Sequence, residues 1–216
     1  MLGSIKLLFK KEAVLNGFFF LFLSVIVLHR IILLCTVNVD CIDNDQVVMW
    51  SGAKHFSQGL FYVPRYYGQD YNTMMEGLFS VPFIKLGIPV YYAVPIATHL
   101  IFLTPFLFSA IYLFRKQKKE QAILVLSILL CLPVGFDIMT SIPRGFVTGL
   151  FFTSLFIVSL LNPKKYRFIL INTFLAYVGY LVSQNSVIVS APFLFYLFLI
   201  NYQDKKYYIY SVIGLI

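Results

Sequence analysis

AVLNGFFFLFLSVIVLHRIILLCTV, Ala13 to Val37, decides the fold class. It is apolar over a length that crosses roughly 30 Å of bilayer hydrocarbon at about 1.5 Å per residue. It is too long for the apolar core of a secretory signal, and no small-x-small cleavage site follows it, so it reads as a retained first helix. The rest of the chain agrees. Of 216 residues, 60% are hydrophobic, 18% aromatic and only 12% charged, with a mean hydropathy of +0.84. Soluble domains carry about 25% charged residues, so the composition is that of an all-α polytopic membrane protein.

The net charge of +8 is clustered rather than spread. Lys6, Lys10 and Lys11 form one group, Arg115, Lys116, Lys118 and Lys119 a second, Lys164, Lys165 and Arg167 a third, and Lys205 and Lys206 a fourth. Each group falls between apolar runs, the pattern of cytoplasmic anchor charges and not of a nucleic-acid surface. With the N-terminus inside, further spans run Pro89–Phe114, Gln121–Phe136, Gly145–Leu161, Phe168–Val182, Val187–Tyr202 and Tyr207 onward, about seven transmembrane helices in all. All four basic groups then lie in the cytoplasm. The Asp137–Arg144 turn and the Ser183–Ser186 turn lie outside, as does a large first loop, residues 38–87, carrying short surface helices. The chain reads as a single membrane domain, 1–216. Its last span stops at Ile216 with no polar boundary, which predicts a C-terminal truncation. Localisation is expected in a bacterial inner membrane.

The first loop holds five of the nine acidic residues: Asp40, Asp43, Asp45, Asp70 and Glu76. Asp40, Asp43 and Asp45 could hold a divalent cation through oxygen ligands, supply one catalytic base, or keep the helix exit solvated. Asp43 and Asp45 also precede an amphipathic helical pattern, Val47–Gly59, where aspartate ordinarily caps. The run Tyr66-Tyr67-Gly68-Gln69-Asp70-Tyr71 offers aromatic faces that suit either sugar rings or the membrane interface. Asp137 is placed to pair with Arg144 across its short turn, and Arg30 to snorkel toward the outer interface. Cys35 and Cys41 flank the exit of the first helix, where an oxidising compartment would permit a disulfide. Neither a P-loop nor a GxGxxG motif occurs.

These residues resemble the GT-C glycosyltransferases, with the protein O-mannosyltransferases and lipid A aminoarabinose transferases nearest in pattern. Asp45-Gln46 stands where those families place an Asp-Glu pair after the first helix. Gly59 closes the helix that follows, and Glu76 occupies the place of their second acid. The phrase Tyr67-Gly68-Gln69-x-Tyr71-x4-Glu76 also looks like first-loop sequences of bacterial relatives. The resemblance covers roughly residues 13–160. It departs at Gln46, in the lack of a lysine after Glu76, and in the missing C-terminal half.

The resemblance implies a polyprenyl-phosphate sugar donor, with Asp45 (or Asp43) as general base and Glu76 as a supporting acid. A divalent cation, Mg or Mn, on Asp43, Asp45 and Glu76 is a further implication. Arg65 and Arg144 would bind the phosphate, and Tyr67, Gln69 and Tyr71 the substrate. A lipid-linked-saccharide flippase or polymerase, or a small-molecule transporter, is the alternative.

Overall fold

A computed structural model describes residues 2–40, 42–62, 65, 67–68 and 72–216, without the side chains of 2–11, 39 and 40. Every regular element among them is helical, apart from two isolated antiparallel bridges, Arg65 with Thr73 and Asn72 with Ser183. Helix α1 (Leu2–Cys35) is followed by the short α2 (Val37–Asp40). The first loop then folds into α3 (Asn44–Ser57) and α4 (Met75–Lys85), and α5 (Val90–Arg115) returns along α1. Three segments are long and apolar enough to cross a membrane: Glu12–Cys35, Val90–Arg115 and Gln184–Asn201.

Four of the expected spans take another form. In place of Gln121–Phe136, α6 (Lys119–Leu130) ends before Cys131, and α7 (Val134–Met139) starts anew after Pro133, whose ψ of 145° is extended. Proline disfavours helical geometry in the residue before it, here Leu132, so the break is local in origin. In place of Gly145–Leu161 stand a 3-10 turn, Thr148–Thr153, and α8 (Phe156–Leu160). The hydroxyls of Thr148, Thr153 and Ser154 each donate to the carbonyl three residues back, a bond that competes with regular α-helical geometry. Helix α9 (Tyr166–Val182) is apolar but short for a span. α10 (Val187–Asn201) completes the third span-length segment, and α11 (Lys205–Ile213) is shorter still.

Three apolar clusters hold these elements. Phe19 and Ile26 of α1 pack with Ile101, Phe102 and Leu113 of α5 and with Leu126 and Leu129 of α6. Met49, Ala53 and Phe56 of α3 pack with Met74 and with Val94 of α5, which seats the first loop on the start of α5. Phe156, Ile169, Phe193, Leu197 and Tyr207 join α8 to α11. Helices α3 and α4 meet closely at Gly77, where a Cβ would stand 3.3 Å from the Ala53 backbone nitrogen.

Residues expected on one side of a membrane do meet at one end of the molecule. The Thr73 N–H donates to the Val182 carbonyl at 3.2 Å, and the Gly145 N–H to Glu76 at 3.2 Å. The first loop, the 137–145 turn and the 183–186 turn therefore share that end.

Candidate functional site

Asp43 is the N-cap of α3: its extended backbone turns the side chain inward, and Oδ1 accepts the Gln46 N–H at 3.0 Å. Such a cap satisfies one of the helix's free N–H groups and stabilises by about 1 kcal/mol. The other oxygen, Oδ2, forms an ion pair with Nη2 of Arg144. Both side chains are about one-third exposed, 31% for Asp43 and 33% for Arg144, so the pair forms a lip that solvent reaches. The Arg144 Nε, by contrast, is buried and has no partner. Asp45 sits in the first turn of α3, partly buried.

Gly145, the next residue, reaches the second acid. Its φ of +79° is a left-handed conformation, and a Cβ there would lie 3.2 Å from the Asn72 side chain, so both backbone and space call for glycine. In that conformation its N–H bonds Oε1 of Glu76, which is 0% exposed. Burial pushes the Glu76 carboxyl up to about 8, opposed in part by the Gly145 N–H and the Thr98 hydroxyl. At neutral pH this group is mainly protonated. Its Oε2 has no protein partner, and Asn72 Nδ2 and Ser183 Oγ nearby in the fold are likewise buried and unpaired. Arg144 and Gly145 thus hold two acids of the first loop, Asp43 and Glu76, from adjacent positions.

The expected metal set does not fit this arrangement. Among the described residues no three His, Cys, Asp or Glu side chains gather as ligands. Asp43 already faces a guanidinium, and Glu76 is buried and protonated at neutral pH, which suits neither to a divalent cation. Arg65 is exposed in its backbone bridge to Thr73, and Tyr67 turns its hydroxyl to His55 Nδ1 at 3.2 Å. Burial, with Tyr62 alongside, raises the Tyr67 phenol above its usual range. Gln69 and Tyr71 lie outside the described residues, as do Cys41 and hence the disulfide expected with Cys35.

Two pairings differ from expectation. Asp137 does not pair with Arg144; it accepts from Arg30 Nη2 at 2.8 Å and meets His29 Nε2 at 3.1 Å. Arg30 does not snorkel. It is 5% exposed, lies 4.6 Å from the Phe102 ring centre and also donates to the Thr140 hydroxyl at 3.2 Å. Nearby in the chain, Asn38 Nδ2 contacts His99 Nε2 at 3.2 Å. A lone arginine late in an apolar run was the one signal of this buried polar group. Comparison with family models, with curated proteins and with solved structures found no match.

Proposed function

We propose that the chain is a multi-pass membrane glycosyltransferase, GT-C-like in its N-terminal portion, that uses a polyprenyl-phosphate-linked sugar at the end formed by the first loop. On this reading it crosses a bacterial inner membrane about seven times, with its N-terminus cytoplasmic and its first loop external. The observation that carries the proposal is the Asp43–Arg144 lip beside Asp45: a solvent-reached guanidinium held by the residue that caps α3, next to a carboxylate at a helix start. Arginine matches phosphate oxygens with its planar fork, and Asp43 fixes the orientation of that fork.

Asp45 takes the role of base, in the first turn of α3 and two residues from the Asp43 that caps that helix and pairs with Arg144. An acceptor O–H gives its proton to Asp45 while its oxygen bonds the anomeric carbon. The bond from that carbon to the phosphate oxygen breaks with inversion, and Arg144 stabilises the charge left on the departing phosphate. Glu76, neutral and buried, positions Gly145 and through it Arg144; it is not a base.

Transfer of radiolabelled sugar from a polyprenyl-phosphate donor, measured with Asp45→Asn, tests the mechanism. A loss of about 10²–10⁴-fold is expected. Unchanged transfer by a folded variant overturns it.

One observation favours the alternative of a flippase or transporter: the buried Arg30, paired with a part-buried Asp137 that also meets His29, on a span-length helix. Ionisable groups at membrane depth commonly mark transport paths. Substrate flux into proteoliposomes that disappears in Arg30→Met, with transfer activity absent from the parent protein, would decide for that reading.

A further inference from the structure

Two basic clusters distant in sequence share one cavity at the end of the molecule away from the first loop. Lys116 and Lys118 come from the end of α5, Lys165 and Arg167 from the start of α9, and together with Tyr112 and Phe168 they line a space of about 440 Å³. The cavity lies at the far end of α5 from the first loop, and that helix of 26 residues is about 39 Å long at about 1.5 Å per residue. No acidic residue lines the cavity. Two other basic residues at this end have carboxylate company: Lys119 pairs with Glu12 at 2.8 Å, and Asp204 caps the helix that carries Lys206.

The aromatic rings hold the cations in place. Lys116 Nζ lies 5.8 Å from the Tyr112 ring centre, Lys165 Nζ 6.0 Å and Arg167 Cζ 4.9 Å from that of Phe168. Resting on ring faces, Lys116, Lys165 and Arg167 keep their hydrogen-bond donors for a ligand. Helix α9, 17 residues long, begins at this cavity with no side-chain cap, so its first N–H groups add to the same positive field. The cavity is far larger than a phosphate ion, and Tyr112, Leu161 and Phe168 give its lining an apolar part.

We infer that this cavity binds the phosphodiester headgroup of an anionic membrane lipid, with the cations on the phosphate and the tyrosine and phenylalanine rings against the glycerol and upper chains. Basic pockets between helices at the cytoplasmic face are a recognised site for such headgroups. The site is independent of the transfer reading, since it lies at the other end of α5.

The test titrates phosphatidylglycerol against the purified full chain in neutral detergent, with bound lipid counted by native mass spectrometry. One saturable lipid is expected, and the Lys116→Gln/Arg167→Gln double variant should bind it at least about tenfold more weakly. The charge-keeping variant Lys116→Arg/Arg167→Lys should bind as the parent does, which separates lost charge from lost fold. Lys205→Gln/Lys206→Gln, which removes the same charge elsewhere, should change binding less than twofold. Equal losses in the two neutralised variants would mean diffuse attraction and overturn the site. Displacement by glycerol 3-phosphate at concentrations matching the lipid would make it a soluble-phosphate site and overturn the lipid assignment.

Discussion

Arg30 and Arg144 each clasp an aspartate more than 100 residues away, and both clasps tie the N-terminal third of the chain to the 137–145 turn. Their surroundings differ. Arg30 is 5% exposed, stacked on Phe102 and bonded to Thr140 and Asp137, while Arg144 is one-third exposed and pairs with the Asp43 that caps α3. The same pair of side chains therefore does two jobs. In the buried clasp every change in charge is felt as stability. In the exposed clasp water screens the charge, and what remains is orientation: a guanidinium aimed at the end where a substrate could arrive.

The contrast breaks first at Arg30. Arg30→Ala strands the Asp137 carboxylate at 13% exposure with only His29 beside it, and is expected to cost about 3–5 kcal/mol. Thermal unfolding in detergent would show this as the largest single-residue effect at this end of the protein. The double variant Arg30→Met/Asp137→Leu removes both charges together and should recover most of the loss. If the double variant is no better than Arg30→Ala, the packing of the arginine stem on Phe102 matters more than the charge pair.

Glu76 extends the buried side of the comparison to pH. Its folded carboxyl is raised to about 8, above the ordinary carboxylate value of 4.5, so the folded state holds a proton that the unfolded state releases. Stability should therefore fall as pH rises from about 4.5 to about 8 and flatten beyond. Glu76→Gln, neutral at every pH, should lose that slope. Unfolding midpoints from pH 5 to pH 8.5 give the check, and a slope that persists in the variant would place its origin elsewhere.

How far the sequence foretold these clasps depends on the range of each interaction. Helix α3 was legible to within about a turn at each end, expected over Val47–Gly59 and found over Asn44–Ser57, because Asp43 before it and Gly59 after it act within a turn of the backbone. The shared end of the three turns was legible from the spacing of basic clusters, which records sidedness. Partner choice was not. Asp137 stands seven residues from Arg144 and was expected to pair with it, yet α7 presents Asp137 to α1, and Pro143 carries Arg144 on toward Asp43. The burial of Glu76 was not legible either, because nothing near it in sequence announces what α3, α5 and Gly145 impose. The breaks at Pro133 and after Gly145 were hidden for a different reason: hydropathy counts apolar residues and is blind to backbone geometry.

Gly145 links the two sides. Gly145→Ala asks a left-handed φ of +79° of a residue with a Cβ and presses that Cβ toward Asn72, a cost of about 1–3 kcal/mol. The expected signature is mixed: a moderate drop in unfolding temperature together with weaker use of the donor, since Arg144 shifts with its neighbour. A drop in stability with donor use unchanged would separate Gly145 from the lip.

The smallest stability effect is expected at Arg144, and it is the sharpest test of the contrast. A pair exposed to this extent is worth at most about 1 kcal/mol, and Asp43 retains its cap on α3 without the arginine. Arg144→Ala should therefore unfold within a few degrees of the parent, whereas Arg30→Ala should not. If the lip binds a donor phosphate, the same variant raises the KM for a polyprenyl-phosphate sugar and lowers kcat, because the lost contact strengthens as charge collects on the leaving group. Arg144→Lys keeps the charge but not the planar fork, so its recovery should be partial. Full recovery would reduce the role of Arg144 to charge alone, and a stability loss as large as that of Arg30→Ala would erase the distinction between the two clasps.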